Sequence, residues 1–157
     1  MTKTNAARIL DRLKITYKIK TYTVDETDLS AQHVADLIQM PIEQVFKTLV
    51  ARTDKRDIVL ACVPGHVELN TKALGAAAGG KRAELVALKE VQSLTGYIRG
   101  GVSPLGTKKP LPVYLDQSAH QWPYISISAG QRGIQIIVAP NDLIKATNAT
   151  VCDLTKP

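Results

Sequence analysis

Lys47 is the side chain most out of keeping with its neighbours. In the segment VFKTLVA it shares one alternate face with Val45, Leu49 and Ala51, while Phe46, Thr48 and Val50 occupy the other. A strand apolar on both faces is a central strand. An ammonium group placed there is strongly disfavoured unless it reaches water, a carboxylate or an anionic ligand. Two arrangements satisfy it. The stem lies along the core with its head at the sheet end, or the amine faces a bound anion.

Two glycine-rich stretches break the pattern elsewhere. TGYIRGGVSPLG, Thr95 to Gly106, holds four glycines in twelve residues and cannot be a regular element. Gly100-Gly101 lets backbone approach a ligand and expose N–H groups to an anion or oxyanion, or else makes a tight connection to the next strand. SAGQRG, Ser128 to Gly133, reads as a hairpin turn that is also placed to present Ser128 or its amides.

Other chemistries lack their residues. There is no GxxxxGK[ST] phosphate loop and no G-x-S-x-G elbow. His33, His66 and His120 are scattered, so neither a metal site nor a cofactor is expected. Cys62, in the apolar run IVLACVPG, reads as a buried, inert thiol, and Cys152 as incidental. An enzyme built from this chain has no obvious nucleophile and must work by binding and electrostatics.

The elements that would position these groups follow from periodicity. Thr4 caps a helix with Ala7, Leu10 and Leu13 on one face; Ser30 caps a second, stopped at Pro41; Asn70 starts an Ala-rich third that closes at Gly79-Gly80. A helix around Lys89–Leu94 and a last one begun by Pro140 complete the set. Strands are expected at Tyr17–Thr23, Val45–Arg52, Ile58–Pro64, Glu84–Ala87, Leu111–Leu115, Tyr124–Ser128 and Ile134–Ala139. Their hairpins call for an α+β fold around a mixed, mostly antiparallel, barrel-like sheet with surrounding helices.

The 157 residues suit one domain, 1–157. Aromatics are only 4% of the chain, so Ala, Val, Ile and Leu must build the core. No apolar run reaches the length of a membrane span, the opening MTKTNAARILDRLK lacks a secretory pattern, and two distant cysteines fit a reduced, cytoplasmic setting. A net charge of +6 draws polyanions, nucleic acid first, although a merely soluble basic domain has the same charge.

Taken together, Thr21-Tyr22, VFKTLV (Val45–Val50), TGYIRGGVSPLG (Thr95–Gly106) and ISAGQRGIQIIVAPNDLIK (Ile127–Lys145) resemble the YbaK-type aminoacyl-tRNA deacylases, relatives of the editing insertion of bacterial prolyl-tRNA synthetases. The resemblance implies that fold and a free-standing editing domain that clears mischarged tRNA at its acceptor end, most typically Cys-tRNA(Pro), with Cys-tRNA(Cys) as a second substrate and prolyl-tRNA synthetase as a partner. It implies Lys47 and the Gly101 backbone as the catalytic groups. It implies Tyr22, Thr48, Gly100, Ser103, Pro104, Ser128 and Gly130 as substrate contacts. No protein nucleophile is implied: the substrate's own thiol attacks the ester and leaves as a cyclic thiolactone, whereas alanine-specific members use water or a ribose hydroxyl. Two positions depart from the family: S-A-G replaces a pattern with a second glycine, and Arg99 adds a cation before the glycine pair. Three competing readings are a non-catalytic acceptor-end binding module, a deacylase for another small amino acid such as alanine, and a small-molecule or protein-binding domain. Salt-sensitive binding without amino-acid release would mark the first, and absence of tRNA affinity the last.

Overall fold

Thr4 begins α1 (Asn5–Arg12) as its position predicts, its hydroxyl accepting from Ala7 N at 3.2 Å. α1 buries Ala6, Ala7 and Leu10, but Leu13 lies past the helix end and is 41% exposed. The computed structural model describes residues 3–156; Met1 and Thr2 of the opening segment and Pro157 of the expected domain lie outside the described residues.

The strands form two sheets. The first orders β1 (Lys18–Thr21), β7 (Ile134–Val138) and β6 (Ile125–Ser128), all antiparallel. The second orders β4 (Ala83–Leu85), β2 (Phe46–Thr53), β3 (Ile58–Pro64), β5 (Val113–Asp116) and β8 (Thr150–Cys152). The expected β2–β3 hairpin runs from Phe46↔Pro64 to Arg52↔Ile58, and β4 flanks β2 antiparallel. β3–β5 and β5–β8 are parallel, and so need crossovers: α3 (Thr71–Ala77) with α4 (Leu88–Thr95), then α5 (Pro140–Thr147). The α+β fold and mostly antiparallel mixed pairing agree with expectation. The expected barrel-like sheet is not closed among the described residues: the strands divide into two sheets joined by a bridge from Val45 to Ser126.

Both faces of the β2–β3 hairpin are covered, which is why its residues are apolar in succession. Phe46, Val50, Leu60 and Cys62 join Ile125, Ile127 and Ile136 of the first sheet in the main core. Ala51, Val59, Ala61 and Val63 pack with Leu74 of α3 and with Leu154. α2 (Ala31–Ile38), capped by Ser30 as predicted, makes a third cluster with Val45 and Tyr22.

Several boundaries differ from the periodicity. β1 stops short of the expected Tyr17–Thr23, and the strand expected over Glu84–Ala87 is Ala83–Leu85, because α4 already starts at Leu88. β8 was not expected: its three residues carry no alternation of their own and are a strand because β5 offers an edge.

Candidate active site

A cavity of about 430 Å³ opens along β2, which β3 pairs throughout but β4 covers only over Ala51–Thr53. β2 floors it, the start of α2 (Leu29 to Ala31) and the β4–α4 segment (Val86, Leu88) wall it, and Arg99, Gly100, Ser128 and Gln135 close the remaining side.

Lys47 lines this cavity half-buried, and Nζ donates to the Gly65 carbonyl at 3.2 Å. Burial holds its pKa below the ordinary lysine value of 10.5, and the Glu68 charge only partly offsets that. Glu68 itself pairs with Lys156 at 3.0 Å. Among the described residues no carboxylate lies within ion-pair distance of Lys47. A cation with three donors and one carbonyl partner has capacity left for an anion or a substrate oxygen.

The two glycine-rich loops are bound to each other. Arg132 Nε donates to Arg99 O at 2.7 Å, and a Cβ on Gly101 would stand 3.2 Å from Arg132 N. Gly100 has φ +84°, a left-handed value that suits glycine. Tyr97 ties the far end of its loop, donating from its hydroxyl to Leu105 O at 2.7 Å, with Gly106 O at 2.9 Å. Gly130, at φ +97°, leaves room for the Tyr97 ring, which a Cβ would meet at 2.8 Å.

Of the residues singled out in the sequence, Lys47, Thr48, Gly100 and Ser128 meet on the cavity. Ser128 Oγ accepts from Gly130 N at 3.1 Å, which leaves its own proton to donate. Thr48 Oγ1 lies 3.6 Å from Cys62 Sγ. The others stand off the lining. Gly101 N donates to Ile98 O at 2.9 Å, Ser103 is fully buried with its hydroxyl accepting from Leu105 N, Pro104 is buried behind it, and Tyr22 packs its ring against α2.

Two lining residues escaped the sequence reading. Gln135 is buried, with Oε1 accepting from Ser126 Oγ at 2.8 Å. It is the polar residue in the apolar strand IQIIV, the same kind of break that singled out Lys47. Gly65, which supplies the carbonyl under Lys47, gives no signal beyond a turn glycine. Cys62 is the inert thiol expected: full burial pushes its pKa up to about 12, so it holds no thiolate at neutral pH. No helix among the described residues is long and apolar enough to cross a membrane.

With this geometry in place, likeness to known proteins is informative. The pattern of the aminoacyl-tRNA editing domain family matches residues 26–146. The chain is 42% identical over 153 residues to an Enterococcus faecalis protein, EbsC, provisionally named a Cys-tRNA(Pro)/Cys-tRNA(Cys) deacylase, covering 98% of this chain and 93% of that one. It is 30% identical over 123 residues to a proline–tRNA ligase of a Sulfurihydrogenibium species, covering 78% of this chain and 21% of the ligase. The crystal structure of a provisionally assigned trans-editing enzyme for prolyl-tRNA synthetase superposes over 100% of both chains at TM-score 0.83 and 26% identity. The family pattern spans most of the chain, including every cavity wall described above, and the chain belongs to the aminoacyl-tRNA editing domain family.

Proposed function

We propose that this protein deacylates mischarged tRNA in trans, with Cys-tRNA(Pro) the preferred substrate and Cys-tRNA(Cys) the second. The observation that carries the reading is Lys47: a half-buried ammonium, held by a carbonyl and by no carboxylate among the described residues, on a cavity sized for a small ligand. The likeness to EbsC over nearly the full length of both chains supports the same substrates.

No cysteine, histidine or carboxylate stands among the residues that line the cavity, and in this reading the substrate supplies its own nucleophile. The cysteinyl sulfur forms a bond to the ester carbonyl carbon, the bond from that carbon to the ribose oxygen breaks, and the thiol proton ends on the ribose oxygen. The products are a four-membered thiolactone and free tRNA. Lys47 holds the ester and its neighbouring phosphate by charge, and Gly100 and Ser128 confine the acyl group. A pocket of this kind separates side chains one methylene apart by only about 1–3 kcal/mol. Alanine therefore enters but lacks the atom that attacks, and chemistry adds to fit in setting selectivity. Prolyl-tRNA synthetase is the partner that would hand over the tRNA.

The test is a timed deacylation panel of cysteinyl-, alanyl- and prolyl-tRNA(Pro) and cysteinyl-tRNA(Cys), with and without protein. Loss of cysteine from both cysteinyl substrates, with prolyl-tRNA(Pro) intact, is the expected result. Salt-sensitive binding with no amino acid released from any substrate would reduce the protein to an acceptor-end binding module.

A further inference from the structure

Five consecutive residues of β2, Phe46 to Val50, line the cavity. Side chains of a strand alternate between two faces, so a space that meets all five lies along the strand's edge. The hydrogen bonding explains why that edge is open. β4 covers β2 only over Ala51–Thr53, and at the N-terminal end of the same edge the bridge from Val45 to Ser126 is the contact that joins the sheets. Between them no described strand pairs with that edge.

The direction of each backbone group on this stretch follows from its bonded ends. Gly65 N donates to Val45 O, so 45, 47 and 49 address β3; Val86 N donates to Val50 O, so 46, 48 and 50 address the opposite side. The N–H and C=O of Thr48 therefore point off the sheet into the cavity. Gly101 N–H, in contrast, is held by Ile98 O at 2.9 Å.

An aminoacyl ester carries the same N–Cα–C=O unit as a strand residue. We propose that the acyl group binds as a one-residue strand on the open edge of β2, antiparallel to it, its α-amino group donating to Thr48 O and its carbonyl oxygen accepting from Thr48 N–H. The inference rests on the deacylase reading and names how that substrate is held. Three consequences follow from sheet geometry. The Thr48 N–H stays on the carbonyl oxygen as it becomes an oxyanion. The antiparallel direction carries the ester oxygen and ribose toward the N-terminal end of β2, where Lys47 and the start of α2 stand. Residues directly paired across a ladder share a face, so an L side chain lies on the Thr48 face and a D side chain is turned toward Lys47.

Two measurements test it, both on the full chain. The first is amide hydrogen exchange with and without 3′-deoxy-3′-(L-alanylamino)adenosine, a non-hydrolysable acyl analogue. The Thr48 amide should exchange at least about tenfold faster than that of Leu49 in the free protein and slow at least about tenfold on saturation, with no slowing by the D-alanyl form. Chemical-shift changes at Gly100 and Ser128 with unchanged Thr48 exchange would overturn the edge pairing and leave the deacylase reading standing. No shifted resonance at millimolar analogue would take both down. The second compares Thr48→Pro with Thr48→Val. Proline removes that one N–H and no ladder bond, and it restricts Lys47 to the extended conformation it already has. Loss of an oxyanion donor should lower kcat by about 10²–10³ relative to Thr48→Val. A folded Thr48→Pro protein with the kcat of Thr48→Val would refute the donor role.

Discussion

The Lys47 ammonium rests on the Gly65 carbonyl oxygen at 3.2 Å, and Gly65 is also where α2 meets the sheet, since a Cβ there would lie 2.5 Å from Ala31 Cβ. One glycine sets both the seat of the cation and the approach of the helix that walls the cavity. The partner is a dipole and not an opposite charge, so the lysine is positioned without being neutralised. A structural lysine would be expected to have a carboxylate beside it.

That arrangement favours function over stability. Lys47→Met keeps the stem and removes a charge that burial disfavours. Deacylation should fall by about 10²-fold or more, while the thermal midpoint at pH 7 rises by about 2 °C. The pH dependence has a definite sign. The folded pKa lies below 10.5, so between the two values the unfolded chain binds more protons and wild-type stability rises with pH. The advantage of Lys47→Met should therefore be present at pH 7 and narrow as pH climbs through the folded pKa of Lys47. Thermal melts of both proteins from pH 7 to 10.5 check it; a gap that widens over that range would be the wrong sign.

Gly65→Ala should act through geometry alone. The new methyl would collide with Ala31 Cβ at 2.5 Å and press on Val45 O and Ile42 at 3.2 Å, so α2 must move. We expect about a tenfold or greater loss of kcat/KM and a lower thermal midpoint. Ala31→Gly removes the opposing methyl, and the double variant should regain much of the loss, a coupling measurable by a double-mutant cycle. Additive effects would mean that the two residues are not in contact.

Lys47 is readable from the chain because a polar group in a strand apolar on both sides needs a partner or a function; Gln135 carries the same signal in IQIIV but escaped the sequence reading. The helix caps at Thr4, Ser30 and Asn70 were equally legible, because capping is local chemistry. What a glycine pair approaches is not local. Gly100-Gly101 signalled close contact, and the contact is the Arg132 loop, with the cavity touching only Gly100. Tyr22 likewise lay on the expected strand margin, but α2 decides where its ring goes. The open edge of β2 could not be read at all, since it depends on where β4 ends and on a bridge to residue 126.

The bond from Arg132 Nε to Arg99 O fastens the two loops that form one side of the cavity. Arg132→Met and Arg132→Lys both lose that planar donor, but the lysine keeps the charge. We expect both to lower kcat/KM by about tenfold and to speed amide exchange over residues 99–103. A loss confined to Arg132→Met would assign the effect to charge and not to the loop contact.

Cys62 gives the sharpest test of catalysis without a protein nucleophile. It lies next to Thr48, with Sγ 3.6 Å from Oγ1, and from its position alone it could be taken for a catalytic thiol. Its surroundings argue otherwise: complete burial raises its pKa to about 12, so at pH 7 the thiolate is absent and no path leads substrate to the sulfur. Cys62→Ala should keep kcat within about twofold while costing about 1 kcal/mol of stability from the small void it leaves. The native protein should resist alkylation by iodoacetamide at Cys62 at pH 8, and react there only when unfolded. A hundredfold fall in kcat for a folded Cys62→Ala protein would make this thiol the nucleophile and displace the substrate's own sulfur from the mechanism.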